Sequence, residues 1–418
     1  MRKMLIAVAA LVFFGTVAVS GETIRVIGSV VAWTDGMKAL IPDFEKETGI
    51  KVQLETYGED QLNQKLIVEF TASGGAGIDV FMTRPLQEGR LMRRNGWYED
   101  LEPYYQDDAD YDFSDFTVGA IECTNIDGMQ TMIPLMLDTE VMYYRKDVFA
   151  AKGIKPPTTL DELEAAAKAL HDPDNDMNGF VARGQRSALV TQFSSYLYSF
   201  GGDFFDMKTG KALINTPEFL GAANFYGGLL NKYGPDGAPN MHWMQATAIF
   251  TQGKAAIYTD GSSIYSSVMD PSKSTYHSVT GVMVFPAGPK GHKCYNIVPW
   301  GIAISPKSVK KEAAWKFIRF MTNKENTIRI QGDFLNPCAR TSAYGIPEGI
   351  KGFPPELAAA IEQSAAIGVG YDRPLVTAVG EARDIIGEVV VTAIEGRPTT
   401  SAAEIAQKRF QELLDREK

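Results

Sequence analysis

The stretch TIRVIGSVVAWTDGMKALIPDFEKETGIKVQLETY (residues 23–57) indicates the fold class of the chain. Apolar and polar residues alternate over 24–28, as in a strand that ends in a loop. The apolar residues of 40–44 share one helical face and Gly49 supplies a stop, which predicts a helix. Alternation returns over 50–54, so the stretch predicts a βαβ unit and an α/β fold.

Two later segments have the form of a helix start. Residues 159–162 (TLDE) match a capping box and follow Pro156 and Pro157, and an apolar helical face comes next. Residues 401–404 (SAAE) match a second capping box ahead of an apolar stripe that ends at Leu414. The sequence therefore predicts a helix after each box.

The N-terminus has the layout of a cleavable secretory signal. Arg2 and Lys3 precede an apolar run over 4–14, and the small residues of 18–20 suit a cleavage site. A membrane anchor is the alternative, but the run lacks an uninterrupted span of about 20 apolar residues. We predict that residues 1–20 are a signal peptide, that no thiol is near enough to carry a lipid, and that the mature protein is periplasmic.

Length and composition bound the possible functions. The chain has 418 residues, of which 45% are hydrophobic. This length exceeds what a single hydrophobic core usually serves, so two domains are expected. Its net charge of −10 disfavours nucleic acid and anionic lipid as partners. Three widely separated cysteines allow at most one disulfide, and the sequence leaves open whether it forms.

No motif predicts a catalytic centre, a metal or a cofactor. The four histidines lack zinc-site spacing, and no G-x-S-x-G elbow is present. Residues 174–179 (DNDMNG) open like a calcium loop, but Gln185 stands where a bidentate glutamate is needed, so an Asx-rich turn is favoured. A pair of glycosidase carboxylates is not marked locally, although 51 acidic residues leave room for one.

Tryptophans divide into core and cleft candidates. Trp315 lies on an apolar helical stripe and is predicted to pack in a core. Trp33 and Trp300 each lie beside a strand-like segment, and open α/β sheets bind ligands beyond the carboxyl ends of strands. We predict that Trp300 forms an apolar platform under a sugar ring, with little role in the stability of the free protein.

Four stretches together resemble the sugar- and polyol-binding group of extracellular solute-binding proteins, the receptors of bacterial ABC importers. They are IPDFEKETGIKV (41–52), IPLMLDTEVMYYRKDVFAAKGIKPPTTLDEL (133–163), FTQGKAAIYTDGSS (250–263) and WGIAISPKSVKKEAAWKFIRFMTNKE (300–325). The resemblance covers essentially the whole chain. It implies a two-lobed periplasmic-binding-protein fold with hinge crossings and a central ligand cleft.

The resemblance also implies lobe boundaries and site residues. The N-terminal lobe is expected to hold 22–136 plus 279–330, and the C-terminal lobe 137–278 plus 331–418. In LMLDTE, Asp138 takes the place of a sugar-binding carboxylate. The other expected ligand-binding residues are Trp33, Glu59, Arg84, Arg183, Asp260, Ser263, Trp300 and Arg340.

The function implied is capture of a sugar or sugar alcohol and its delivery to a membrane permease, without catalysis, by a monomer. Aromatic faces would cover the apolar side of a sugar while charged groups fix its hydroxyls. A secreted carbohydrate-active enzyme is one alternative. A receptor for an acidic or amino sugar is another, because Arg84, Arg183 and Arg340 could converge.

Overall fold

The structure is a computed structural model that describes residues 21–72 and 77–417. The predicted signal peptide, residues 1–20, lies outside the described residues. Within the described part, no helix combines the length and apolarity needed to cross a membrane.

Fifteen strands are described: β1 Thr23–Ser29, β2 Lys51–Tyr57, β3 Val80–Thr83, β4 Asn125–Ile126, β5 Met129–Gln130, β6 Ile133–Pro134, β7 Asp138–Arg145, β8 Asn178–Val181, β9 Phe205–Asp206, β10 Lys211–Ala212, β11 Ala255–Gly261, β12 Thr280–Val284, β13 Cys294–Ile297, β14 Gly301–Ile304 and β15 Gly368–Val369.

Seventeen α-helices are described: α1 Ala32–Thr48, α2 Glu59–Thr71, α3 Arg90–Arg94, α4 Glu102–Tyr105, α5 Val118–Thr124, α6 Lys146–Lys152, α7 Leu160–Leu170, α8 Leu189–Ser199, α9 Pro217–Tyr233, α10 Trp243–Thr251, α11 Tyr265–Val268, α12 Lys311–Thr322, α13 Lys324–Phe334, α14 Pro347–Ile350, α15 Pro355–Ile367, α16 Val379–Ile394 and α17 Thr400–Arg416.

The first lobe is built on a five-stranded sheet of order β2-β1-β3-β14-β6. Strand β1 pairs in parallel with β2 and β3, and β14 runs antiparallel to β3 and β6. The predicted βαβ unit is confirmed, because α1 joins β1 to β2 and ends at Gly49, whose φ of 74° suits a residue without a side chain. Trp315 is buried in this lobe's core, as predicted.

The second lobe is built on a sheet of order β15-β13-β7-β11-β8, with β12 also paired to β7. Strand β7 is its centre and runs antiparallel to β11, β12 and β13. Helices α8, α9 and α16 pack together beside it. The core beside these helices also includes Phe410, Leu413 and Leu414 of α17, the last helix of the chain.

Three chain segments connect the lobes side by side. The first is Leu135–Leu137 between β6 and β7, and the second is Val298–Trp300 between β13 and β14. The third follows α13, where Pro337 O accepts a 2.9 Å hydrogen bond from Leu137 N. Leu135 N donates to Trp300 O at 3.1 Å, so backbone hydrogen bonds tie the three crossings together.

The lobe boundaries differ from the expected ones in two places. Strands β12 and β13 pair with β7, so residues 280–297 belong to the second sheet and the first lobe resumes at Val298. Cys338, Ala339 and Ala343 pack in the first core, although 331–418 was expected in the other lobe. Strand pairing and packing, which the local sequence does not encode, set both boundaries.

Candidate functional site

A cleft of about 830 Å³ lies between the lobes and is lined by both of them and by the crossings. Its volume falls in the usual range for small-molecule sites. Met136, Trp300 and Asn336 come from the three crossings. The cleft is therefore placed where a movement of one lobe against the other would change its shape.

Asp138 lies at the start of β7 and lines the cleft. Its Oδ1 accepts hydrogen bonds from Ser263 N at 2.8 Å and from Ser262 Oγ at 3.3 Å. Gly261 faces the carboxylate so closely that a Cβ there would collide with it. Burial raises the pKa of Asp138 to about 7, so this carboxyl titrates near neutral pH.

Arg183 follows β8 and makes a bidentate ion pair with Asp260 of β11. The Nε–Oδ2 distance is 2.9 Å and the Nη2–Oδ1 distance is 2.6 Å. Asp260 is fully buried and also accepts hydrogen bonds from Gln192, Tyr258 and the Gly261 amide. Asp260 therefore holds Arg183 in one orientation, with the guanidinium at the cleft surface.

Glu59, Arg84 and Trp300 form the cleft wall of the first lobe. Arg84 Nη1 donates to Glu59 at 2.8 Å, and its Nε donates to Glu88 at 3.0 Å. The guanidinium lies over the Trp300 ring, 5.4 Å from its centroid. Burial raises the pKa of Glu59, but the charges of Arg84 and Arg183 outweigh it, and the pKa lies below its ordinary value.

Arg373 and Arg383 form a second cationic group on the other lobe. Arg373 pairs with the buried Asp372, whereas Arg383 donates to neutral acceptors that include Ser187 O at 2.9 Å. Both guanidiniums also donate to Gln87 of the first lobe. The two lobes therefore share hydrogen bonds across the cleft.

The structure brings six of the nine predicted site residues to the cleft: Glu59, Arg84, Asp138, Arg183, Ser263 and Trp300. Three predicted positions do not line it. Trp33 is 1% exposed and packs in the first core, because the second residue of α1 points inward while 30–32 face the cleft. Asp260 lies behind Arg183 and acts through it.

Arg340 does not line the cleft, although it was expected to bind the ligand. Its side chain is fully buried in the first lobe, where it donates to the carbonyl oxygens of Thr322 at 2.7 Å and of Tyr111 at 2.9 Å. The ring of Phe116 lies 4.2 Å from its guanidinium carbon. Arg340 therefore joins loops of the first lobe and does not converge with Arg84 and Arg183.

Sequence reasoning missed other residues that line the cleft, among them Gln87, His242, Asn336, Arg373 and Arg383. Asn336 is 1% exposed, and its Oδ1 has no hydrogen-bond partner in the described protein. It follows Leu335, whose φ of 53° is a left-handed conformation that no sequence signal marks. Arg383 sits on a helix whose inward face reads as ordinary core.

Neither a disulfide nor a metal cluster is found in residues 21–72 and 77–417. Cys123, Cys294 and Cys338 are unpaired. No group of three or more His, Cys, Asp or Glu side chains there is arranged to hold a metal ion. In the calcium-like stretch, Asp176 pairs with Lys254 at 2.7 Å, and the chain turns directly into β8.

Most arginines of the cleft are in compensated pairs, and Arg383, which donates to neutral acceptors, is the exception. Arg84 faces Glu59 and Glu88, Arg183 faces Asp260, and Arg373 faces Asp372. Such groups combine strong donors and acceptors at fixed positions with little net charge. This arrangement suits a neutral solute that offers several hydroxyl groups, since a hydroxyl both donates and accepts.

Comparison with known proteins places these features in a family. The model for bacterial extracellular solute-binding proteins matches residues 31–328. A mannitol-binding protein of Pseudomonas aeruginosa is 29% identical over 292 residues, which cover 67% of this chain and 64% of that protein. The match thus spans slightly less than two thirds of that relative's length.

Solved structures share the two-lobed fold. An ABC transporter solute-binding protein from Agrobacterium radiobacter K84 in complex with ribitol has 27% identity and a TM-score of 0.84, covering 94% of this chain and 99% of that one. A solute-binding protein from Agrobacterium vitis S4 with bound D-mannitol has 25% identity and a TM-score of 0.79, covering 95% and 98%. The expected α/β two-lobed fold is confirmed.

Proposed function

Because the chain belongs to the bacterial extracellular solute-binding protein family, we propose that it is the substrate-binding component of an ABC importer and captures a sugar or sugar alcohol. The observation that carries the proposal is the interlobe cleft lined by arginine–carboxylate pairs. The ligand would be bound between the lobes and delivered to a membrane permease. Six residues are proposed to contact it: Glu59, Arg84, Asp138, Arg183, Ser263 and Trp300.

Within this class, the cleft chemistry favours an acyclic polyol. Arg84 already covers one face of the Trp300 ring, which leaves less aromatic surface for a sugar ring to stack on. Charged donors and the Asp138 carboxylate instead offer directional contacts to vicinal hydroxyls. The ribitol and mannitol of the similar structures belong to this chemical class.

The two alternatives receive less support. A glycosidase needs two carboxylates with separate roles, but of the two carboxylates among the proposed contacts, Glu59 is ion-paired with Arg84, which leaves only Asp138. A receptor for acidic sugars was expected to use converging arginines, but Arg340 lies in the core, and Arg84 and Arg183 are neutralised by carboxylates. We therefore propose a binding protein for neutral solutes, without catalytic activity.

A thermal-shift panel of polyols, sugars, amino sugars and sugar acids tests the ligand class. A ligand at 100 times its dissociation constant adds about 2.7 kcal/mol of stability. Ribitol, mannitol or a related neutral polyol should raise the melting temperature most. Stabilisation by sugar acids alone, or turnover of an oligosaccharide, would overturn the proposal.

Calorimetry on Asp138→Ala tests the site. The variant should bind the identified ligand more weakly by about 1.5–3 kcal/mol, the usual value of a charge-assisted hydrogen bond. Asp107→Ala, at an exposed carboxylate of the first lobe, is the control and should bind as the parent does. Equal affinities for all three proteins would show that Asp138 has only a structural role.

We propose export to the periplasm through cleavage of residues 1–20, and a monomeric mature protein. The family's extracellular character and the N-terminal sequence support this location. Intact mass and light scattering of the exported protein test both points. Retention of residues 1–20, an added acyl mass or a dimer mass would contradict the corresponding part.

A further inference from the structure

Gln87 extends from the first lobe to the arginines of the second. It lies in the π-helical turn Pro85–Gly89 that follows β3, and this turn packs against α16. Its Oε1 accepts from Arg373 Nη1 at 2.5 Å and from Arg383 Nη1 at 2.8 Å. One amide oxygen thus joins two cationic side chains across the cleft.

The two arginines need an acceptor at this position. Both guanidiniums also donate to Thr191 Oγ1, at 3.2 and 3.3 Å, so they lie side by side as like charges. Asp372 neutralises Arg373, but the hydrogen bonds of Arg383 go to neutral acceptors. Burial, and then the charge of Arg373, lower the pKa of Arg383, and the charge of Asp372 offsets this only in part.

We propose that Gln87, Arg373 and Arg383 form an interlobe bridge that holds the lobes closed through the protein's own side chains, before any ligand contributes. Opening the cleft would separate the amide oxygen from both guanidiniums. Each hydrogen bond involves a charged donor, the stronger class of hydrogen bond. The bridge would therefore raise the closed population and slow ligand release.

The bridge is independent of ligand chemistry. It depends on the proposed function only in treating the closed form as the one that holds the ligand. A ligand needs to supply less differential binding energy when the protein already favours the closed form. The test is therefore made on the ligand-free protein, so that its failure is distinct from a failure of the proposed function.

Electron–electron distance measurements between spin labels on the two lobes report closure. Labels are introduced at Val309→Cys in the first lobe and Ile405→Cys in the second, both exposed side chains. Burial raises the pKa of Cys294 to about 11 and of Cys338 to about 12, so both label poorly, and the half-buried Cys123 is replaced by serine in every protein compared.

Two variants should move the distances in opposite directions. Gln87→Ala should shift the ratio of closed to open protein about tenfold or more toward open. Gln87→Glu should shift it toward closed, because a carboxylate gives Arg383 a counterion. Gln61→Ala, at an exposed glutamine on α2, is the matched control and should resemble the parent.

The outcome is decisive in either direction. Unchanged distances in Gln87→Ala would overturn the bridge, as would opening by Gln87→Glu to the same extent. Melting curves of each variant show that it is folded. Because the two substitutions act oppositely, general destabilisation does not reproduce the expected pattern.

Discussion

At the scale of single residues, Asp138 has the most unusual environment among the proposed ligand contacts. Its carboxyl is 6% exposed and receives hydrogen bonds from Ser262 and Ser263, yet burial still dominates its titration. An ionised Asp138 is therefore costly to the fold and valuable to a ligand that can donate to it.

The pH dependence of stability tests this environment. An unfolded aspartate titrates near 3.8 and the folded Asp138 near 7, so folding takes up a proton between these values. Stability from this site is thus highest at low pH and falls as pH rises to about 7. Asp138→Asn should gain about 2 kcal/mol of relative stability between pH 5 and pH 8.

Urea unfolding of both proteins at the two pH values measures the effect. Asp107→Asn, at an exposed position, is the control and should show no such gain. An equal stability difference between Asp138→Asn and the parent at pH 5 and pH 8 would contradict the raised pKa.

Trp300 has a larger structural role than the sequence indicated. Trp300 is 5% exposed and belongs to the first core. We therefore no longer expect its substitution to leave the stability of the ligand-free protein unchanged. Trp300→Ala should lower the free energy of unfolding by about 3–5 kcal/mol, as for other buried aromatic residues. Trp243→Ala, at a half-buried tryptophan of the cleft, should cost less, and urea titrations compare them. If Trp300→Ala were as stable as the parent, Trp300 would have no role in the core, and the interpretation as a platform for the ligand alone would be supported.

The family resemblance predicted which residues line the cleft only where the backbone also turns the side chain toward it. Trp33 and the residues just before it are adjacent in sequence, but one helical step turns the indole into the core. Arg340 is expected at the ligand only from the family resemblance, and the fold shows instead that buried carbonyl oxygens accept its hydrogen bonds. Nothing in the sequence around Gln87 predicts a role for it, because its contact with Arg383 is formed only when the two lobes come together.

At the scale of elements, the first capping box is confirmed and the second is wrong. Thr159 Oγ1 accepts from Glu162 N at 3.2 Å, and the reciprocal bond is also formed. Helix α17 instead begins at Thr400, so Ser401 already lies inside it. The motif is the same, but the N-cap of the second helix is Thr399, two residues before the predicted Ser401.

The two boxes provide a matched pair of substitutions. Thr159→Ala should destabilise the protein by about 1 kcal/mol, because it removes the acceptor of an otherwise unpaired helix N–H. Ser401→Ala should change stability little, since alanine suits a helix interior. Denaturant midpoints with unchanged slopes measure both, and an equal loss in both variants would contradict the assigned helix starts.

Helices and the first βαβ unit were predictable because their periodicity is local. The partners of β12 and β13 were not, since antiparallel pairing with β7 joins residues more than 100 positions apart. A strand sequence specifies which face is apolar but not which neighbour it receives. The misplaced lobe boundary near residue 279 follows from this difference.

At the scale of the whole molecule, the two largest of the three hydrophobic cores in the described residues are built from interleaved parts of the chain. The first combines residues before Leu137 with 298–343, and the second combines 142–294 with 376–414. The three crossings between them are joined by backbone hydrogen bonds. A movement of the lobes is therefore expected to act on all three crossings together.

The interleaving also has a consequence for biosynthesis. Chains fold from the N-terminus as they are made, but the first core is incomplete until Cys338–Ala343 has emerged. A nascent chain that ends at residue 330 should remain sensitive to protease, whereas the whole chain should resist it; resistance of the shorter chain would contradict this order. We expect a polypeptide with this connectivity to stay unfolded through most of its synthesis, and the proposed export would use that state.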